Sequence, residues 1–201
     1  PPRSTLFPYT TLFRSLSDGV INGNIYLKGY GDPDFSTSDI ESLAKQIAAF
    51  NVNSITGNII YDESYLDDDY NSLAGYYQSD TDPKYWPYVT ALSLDKNKGN
   101  SDPAALCGNI LSEELSILNI GFNGIVISGT TPKAAKEIGK VTRSISSVLS
   151  HMNKVSDNQS AITVFKVIGA ELKGAPGTLE KGAEVRSEEH TSELQSPNTI
   201  S

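Results

Sequence analysis

The chain holds a single cysteine, Cys107, and a single methionine among 201 residues, with only two histidines. One thiol closes no internal disulfide and builds no cysteine-rich zinc site. Long apolar runs are also missing. No stretch approaches the about 20 apolar residues of a bilayer span, so no transmembrane segment is expected. Basic residues are scarce, 16 against 24 acidic ones, for a net charge of −8. An acidic surface of this kind disfavours nucleic acid and anionic lipid as partners. No cofactor and no bound metal ion are expected, and no secretory leader is visible.

Neither terminus carries the pattern of a core-forming segment. Residues 1–15, PPRSTLFPYTTLFRS, and residues 186–201, which begin RSEEHTSELQS, back-translate codon by codon into the two arms of a short-read sequencing adapter. Both ends are therefore expected to be adapter-derived and non-native, and are set aside from fold reasoning. Residues 16–185 remain, as an interior fragment with enough chain for one domain or two small ones. Without the ends, Lys plus Arg falls from 16 to 13 and Asp plus Glu from 24 to 21, so the net charge stays at −8.

What is there reads as mixed α/β. Residues 20–27 alternate loosely as a strand until Gly29-Tyr30-Gly31-Asp32-Pro33 turns the chain. Ser38 and Glu41 have capping-box spacing, and Ile40, Leu43, Ala44, Ile47 and Ala48 share one face of the helix that follows. Residues 52–61 supply another strand, residues 67–87 a polar and tyrosine-rich loop, and residues 89–94 a further strand. A boundary is expected at Lys98-Gly99-Asn100-Ser101. Asp102 then caps a helix that has Pro103 in its first turn and Leu106, Ile110, Leu111, Leu115 and Leu118 on its core face. Residues 125–128 are strand-like. Ile145, Val148, Leu149, Met152 and Val155 mark one amphipathic helix, and Ala161, Val164, Phe165 and Ile168 the next. No internal repeat is evident.

Ser156-Asp157-Asn158 falls at the junction of those last two helices. Its chemistry is a hydroxyl able to relay a proton, beside a carboxamide able to donate to and accept from a substrate amide. Other stretches point the same way: NGNIYLKGYGDPDFSTSDIESLAKQI, SITGNIIYDESYLD, TALSLDKN, and the run from Leu149 through Ser156-Asp157-Asn158 to Pro176-Gly177-Thr178. Together they resemble the class C penicillin-binding D-alanyl-D-alanine carboxypeptidase/endopeptidases, peptidase family S13. The resemblance covers nearly all of residues 16–185.

Several expectations come with that resemblance. The fold would be a small inserted α/β unit, residues 16–98, followed by an incomplete, mainly helical part of a penicillin-binding/β-lactamase-like transpeptidase domain, residues 101–185. A strand-rich region of the family would shrink here to residues 98–101. The activity would be serine-type hydrolysis of peptidoglycan peptides ending in D-Ala-D-Ala, through an acyl-enzyme. In the family a serine within Ser-x-x-Lys attacks, and a Lys-Thr-Gly strand holds the substrate carboxylate; neither has a credible match here. By resemblance Ser156 and Asn158 are the catalytic residues, Ser156 relaying a proton and Asn158 also binding the substrate amide, while Asp157 is structural. The partners implied are the peptidoglycan peptide and, for the full-length parent, β-lactams, in a periplasmic or extracytoplasmic setting. The chain alone is expected to be inactive. A non-catalytic peptidoglycan-binding or scaffold module is the alternative, with the rings between Tyr70 and Tyr88 stacking on glycan.

Other chemistry-bearing patterns fit poorly. Ser42-Leu43-Ala44-Lys45 matches Ser-x-x-Lys, yet helical geometry places Ser42 and Lys45 opposite the apolar face, where the lysine stays charged. Asp67-Asp68-Asp69 with Asn71 lacks the glycine and glutamate that a calcium loop needs at Ser72 and Gln78. His151 reads as a surface residue rather than a partner for Cys107.

Overall fold

The computed structural model describes residues 5–13, 15–70, 87–98 and 100–195. Its architecture is mixed α/β, with two sheets and five α-helices among those residues. The larger sheet has the order β8-β6-β4-β1-β9, built from β1 (Thr5–Phe13), β4 (Ile25–Lys28), β6 (Ile59–Asp62), β8 (Val126–Ser128) and β9 (Lys136–Ser144). Strands β4, β6 and β8 run parallel, while β1 is antiparallel to both β4 and β9. The smaller sheet, β2-β3-β5-β7, comprises β2 (Leu16–Ser17), β3 (Val20–Ile21), β5 (Ser54–Ile55) and β7 (Gly121–Phe122).

The two sheets are linked strand by strand. β3 steps into β4 at Gly23-Asn24, β5 into β6 at Gly57-Asn58, and β7 into β8 at Gly124, all at one level. The Asn58 N–H donates to Asn24 Oδ1 at 2.9 Å, and the Ile125 N–H donates to Asn58 Oδ1 at 3.1 Å. Only glycine fits the crossing: a Cβ on Gly57 would lie 2.4 Å from the Gly23 carbonyl carbon, and one on Gly124 would lie 2.1 Å from the Gly57 oxygen. This is a short structural repeat, where the sequence suggested none.

Helix α1 (Thr37–Ala48) buries Ile40, Leu43, Ala44 and Ile47, as the apolar spacing requires. Its start lies two residues earlier than expected. Ser36 is the N-cap, and its N–H donates to the Asp39 carboxylate at 2.9 Å, so Asp39 takes the role assigned to Glu41. Helix α2 (Pro103–Ile117) begins as expected, with Asp102 Oδ1 accepting the Ala105 N–H at 3.0 Å. Its buried face is Ala104, Cys107, Leu111 and Leu115, and Leu106, one step off that face, is left exposed. Helices α1 and α2 lie side by side, α2 against the parallel strands β6 and β8 and α1 against β9, and their apolar faces with Ile25, Leu27, Ile55 and Ile59 form the main core.

Helices α3 (Ile145–Val155), α4 (Asn158–Lys173) and α5 (Leu179–Gln195) complete the described fold. A second core joins Val148, Val164, Val167 and Ala170 to Tyr65, Leu66 and Ala91. Residues 89–94 are buried but form no strand. Their polar groups are met individually: the Ala91 carbonyl accepts the Gly31 N–H at 2.9 Å, and the Leu94 N–H donates to Asn97 Oδ1 at 2.7 Å. Residues 5–13, set aside on sequence grounds, lie as β1 between β4 and β9. Pairing to β4 starts only at Thr10, so Pro8 is paired on the β9 side alone, where a residue without an N–H is tolerated. Helix α5 runs continuously past Arg186.

Candidate active site

Helix α3 stops because Ser156 turns left-handed, at φ 53° and ψ 49°. For a residue with a Cβ that conformation costs about 1–2 kcal/mol, and the contacts of the next residue hold it there. Asp157 is the N-cap of α4: its carboxylate accepts the Ser160 N–H at 3.2 Å and the Ser160 hydroxyl at 2.8 Å. Ser160 is buried, so Asp157 is drawn inward. Ser156 and Asn158, on either side, are exposed. Both line an open cleft of about 480 Å³, together with Pro87, Lys96, Lys98, His151, Asp157 and Gln159.

Electrostatics fix the middle residue. Lys96 Nζ lies 2.8 Å from Asp157 Oδ2, 2.5 Å from Asp34 Oδ1 and 2.9 Å from Ser160 Oγ. Burial pushes the Asp157 carboxyl up, but the bonds from Lys96 and Ser160 outweigh it and hold the group below its ordinary value. Its charge therefore persists through neutral pH. Lys96 went unrecognised in the sequence although it lies within TALSLDKN, because its partners come from distant parts of the chain. Asp95, Lys96 and Asn97 all have positive φ, at 45°, 66° and 53°. The buried Asn97 carboxamide holds that turn by donating to the Tyr88 carbonyl at 2.8 Å and to Thr90 Oγ1 at 2.9 Å.

The other candidates separate from this cleft. Lys45 is exposed and pairs with Glu41 at 3.7 Å, while Ser42 Oγ accepts a long 3.4 Å bond from Gln46 Nε2. Ser42→Ala and Lys45→Met are each expected to change stability by no more than about 0.5 kcal/mol in urea unfolding, as for surface positions without special contacts. Asp67 is engaged by Lys166 at 2.6 Å rather than opened toward a cation. Cys107 is fully buried, and burial pushes its thiol far above the ordinary value, so it makes no nucleophile with the exposed His151. Tyr70 and Tyr88 stand 6.1 Å apart, ring centre to ring centre. Tyr76 and Trp86, two of the rings between them in the sequence, lie outside the described residues.

This mixed α/β fold is shared with solved penicillin-binding proteins. The chain belongs to the D-Ala-D-Ala carboxypeptidase 3 (S13) family, whose model matches residues 6–100 and 98–196. Among solved structures it is similar to penicillin binding protein 4 (dacB) from Haemophilus influenzae, with a TM-score of 0.82 at 18% identity over 97% of this chain. The same protein complexed with a novel β-lactam superposes with a TM-score of 0.73 at 17% identity over 96% of this chain. The chain spans 59% and 57% of those two structures. No curated protein matches it. No helix among the described residues is long and apolar enough to cross a membrane.

Proposed function

We propose that this chain is part of a serine-type D-Ala-D-Ala carboxypeptidase/endopeptidase that acts on peptidoglycan peptides outside the cytoplasm and is inert by itself. One observation carries the reading: Asp157 is turned inward onto Lys96 and Ser160, which leaves Ser156 and Asn158 facing the same cleft. That division suits acyl transfer. The attacking serine hydroxyl and its lysine base come from sequence outside residues 16–185, as does the strand that binds the terminal carboxylate. The serine oxygen bonds to the carbonyl carbon, the C–N bond to the last D-Ala breaks, and the Ser156 hydroxyl passes the proton to the leaving amine. Asn158 meanwhile donates to a substrate carbonyl and accepts from a substrate N–H. Water then hydrolyses the acyl ester. In this layout the α/β unit of residues 16–98 extends past the boundary expected at residues 98–101 to take in α2, β7 and β8, which share its sheets and core, and the rest of 101–185, with α3 and α4, is the partial peptidase domain; the back-translation of residues 1–15 and 186–201 supports an adapter origin for both ends.

A fluorescent β-lactam tests the proposal. The purified chain should form no covalent adduct on a denaturing gel. The parent reading frame should carry Ser-x-x-Lys ahead of residue 16 and Lys-Thr-Gly beyond residue 185, and should be labelled stoichiometrically. An adduct on Ser42 or Ser156 of this chain defeats the proposed division of parts. A complete parent frame with neither motif defeats the enzyme reading and leaves a non-catalytic peptidoglycan-binding module.

A further inference from the structure

Both ends of α3 rest on one acidic turn of the α/β unit. At the N-terminal end Arg143, just ahead of the N-cap Ser144, places Nε 2.9 Å from the buried Asp32 Oδ2. Its terminal nitrogen donates to the Asp34 carbonyl at 3.0 Å and to Asp39 Oδ2 at 2.8 Å. At the C-terminal end Asp157 reaches the same turn through Lys96, whose ammonium also meets the Asp34 carboxylate. Residue 34 is thus the shared point, giving its carbonyl to one end of the helix and its carboxylate to the other.

We propose that Lys96 is the positioning residue of the Ser156-Asp157-Asn158 junction, holding it in a fixed pose on the Asp32 to Asp39 turn. The proposal rests on reading that junction as an acyl-transfer motif. An ammonium has three N–H donors, and those of Lys96 are matched by Asp34 Oδ1, Asp157 Oδ2 and Ser160 Oγ. It has no donor left for a substrate, so its work is to place its neighbours. Ser160 closes the ring by accepting from Lys96 and donating to Asp157. The backbone is shaped for the same end: three consecutive residues with positive φ lift Lys96 into place, and Thr37 Oγ1 adds a 2.8 Å bond to Asp95. Left-handed residues of this kind persist only where several contacts require them.

The consequence is a specific coupling. Losing Lys96 frees Asp157 to rotate, and the left-handed Ser156 and the first residue of α4 lose their reference. Nuclear magnetic resonance on the whole chain reads this without any activity. In the unsubstituted protein the Asp157 carboxyl carbon should titrate below the ordinary aspartate value, and Ser156 and Asn158 should each give one sharp amide signal. Lys98 and His151, the other titratable side chains on the cleft, and Asp34 beside Lys96 are followed in the same titration. In Lys96→Met the Asp157 midpoint should rise by one pH unit or more, and the Ser156 and Asn158 amides should shift or broaden. The methyl signals of Ile40, Leu43 and Leu111 should stay in place. Lys96→Arg should recover both changes in part. Unmoved Ser156 and Asn158 signals in a folded Lys96→Met protein overturn the proposal. If that variant fails to fold, Asp34→Asn, which keeps the Lys96 to Asp157 pair, should still move the Asn158 amide; an unchanged signal there overturns it as well. The β-lactam experiment plays no part in this readout, so failure of the enzyme reading is seen separately.

Discussion

Asp67→Ala is expected to destabilise the fold by about 3 kcal/mol, because it strands a buried cation. Lys166 is fully buried in α4, and its Nζ is held by Asp67 Oδ1 at 2.6 Å and the Asp69 carbonyl at 2.8 Å. The carbonyl alone does not neutralise an ammonium removed from water. Asp67 itself retains some exposure, so the reverse change costs less: Lys166→Met leaves a carboxylate that solvent reaches and fills the space with a side chain of similar length. The double variant Asp67→Ala, Lys166→Met should therefore recover most of the loss. Urea unfolding of the three variants at pH 7 makes the comparison. A loss below about 1 kcal/mol for Asp67→Ala would mean that water reaches Lys166 in the folded protein and that the pair is weaker than its burial implies. This site bears on the cleft indirectly, since Lys166 lies on the helix that Asn158 begins, and the Asp67 N–H bonds the Gly177 carbonyl at 3.0 Å.

The second large effect depends on pH. Burial raises the Glu63 carboxyl to about 7, although the Leu92 N–H and the Tyr70 hydroxyl pull it down, and its buried Oε1 has no hydrogen-bond partner among the described residues. The folded state therefore holds a proton that the unfolded chain releases near its ordinary value of 4.5. Stability from this group is greatest below that value and falls as pH rises toward 7; above 7 the fold carries a buried charge. Glu63→Gln imitates the protonated form. At pH 8 it should stabilise the protein by roughly 3 kcal/mol, the free energy of about 2.5 pH units, and near pH 4 by almost nothing. The Asp157 carboxyl, held below its ordinary value, titrates alike in the two proteins and drops out of the difference, whereas the neighbouring Asp62 charge acts on Glu63 and its titration is followed in both. Equal gains at both pH values would show that the carboxyl is hydrated in the folded state.

The helices and the junction were legible because their signals are local. The apolar spacing from Ile40 to Ile47 and the cap at Asp102 need no knowledge of the rest of the molecule. The position of Ser156 to Asn158 between two amphipathic runs was legible for the same reason. Strand β9 was not: KEIGKVTRS buries only Ile138 and Gly139, so its apolar content is too thin to mark it, and its partner β1 lies more than a hundred residues earlier. Residues 89–94 misled in the opposite sense. Their apolar character reports burial, and burial here comes without a strand, since turns and the Asn97 carboxamide satisfy the backbone singly. Within the site, the exposed pair that meets the cleft was legible and the support beneath it was not. Lys96, Asp34 and Ser160 converge from three segments, and Ser160 lies 64 residues beyond the lysine it bonds.

The stacked Gly-Asn steps between the two sheets bear on how these strands find their pairing. Alternation of inward and outward side chains rejects a slip of one residue, because every apolar group would then face the wrong way. It is blind to a slip of two, which restores every face. At Gly57 and Gly124 the chains cross too closely for any Cβ, so a strand displaced by two residues would bring a larger residue into the notch and take Asn24 or Asn58 from its backbone partner. The steps thus reject the even slips that hydrophobic patterning cannot see, and the far ends of β4 and β6 arrive in one common phase, where Lys28 Nζ meets Asp62 Oδ2 at 3.1 Å.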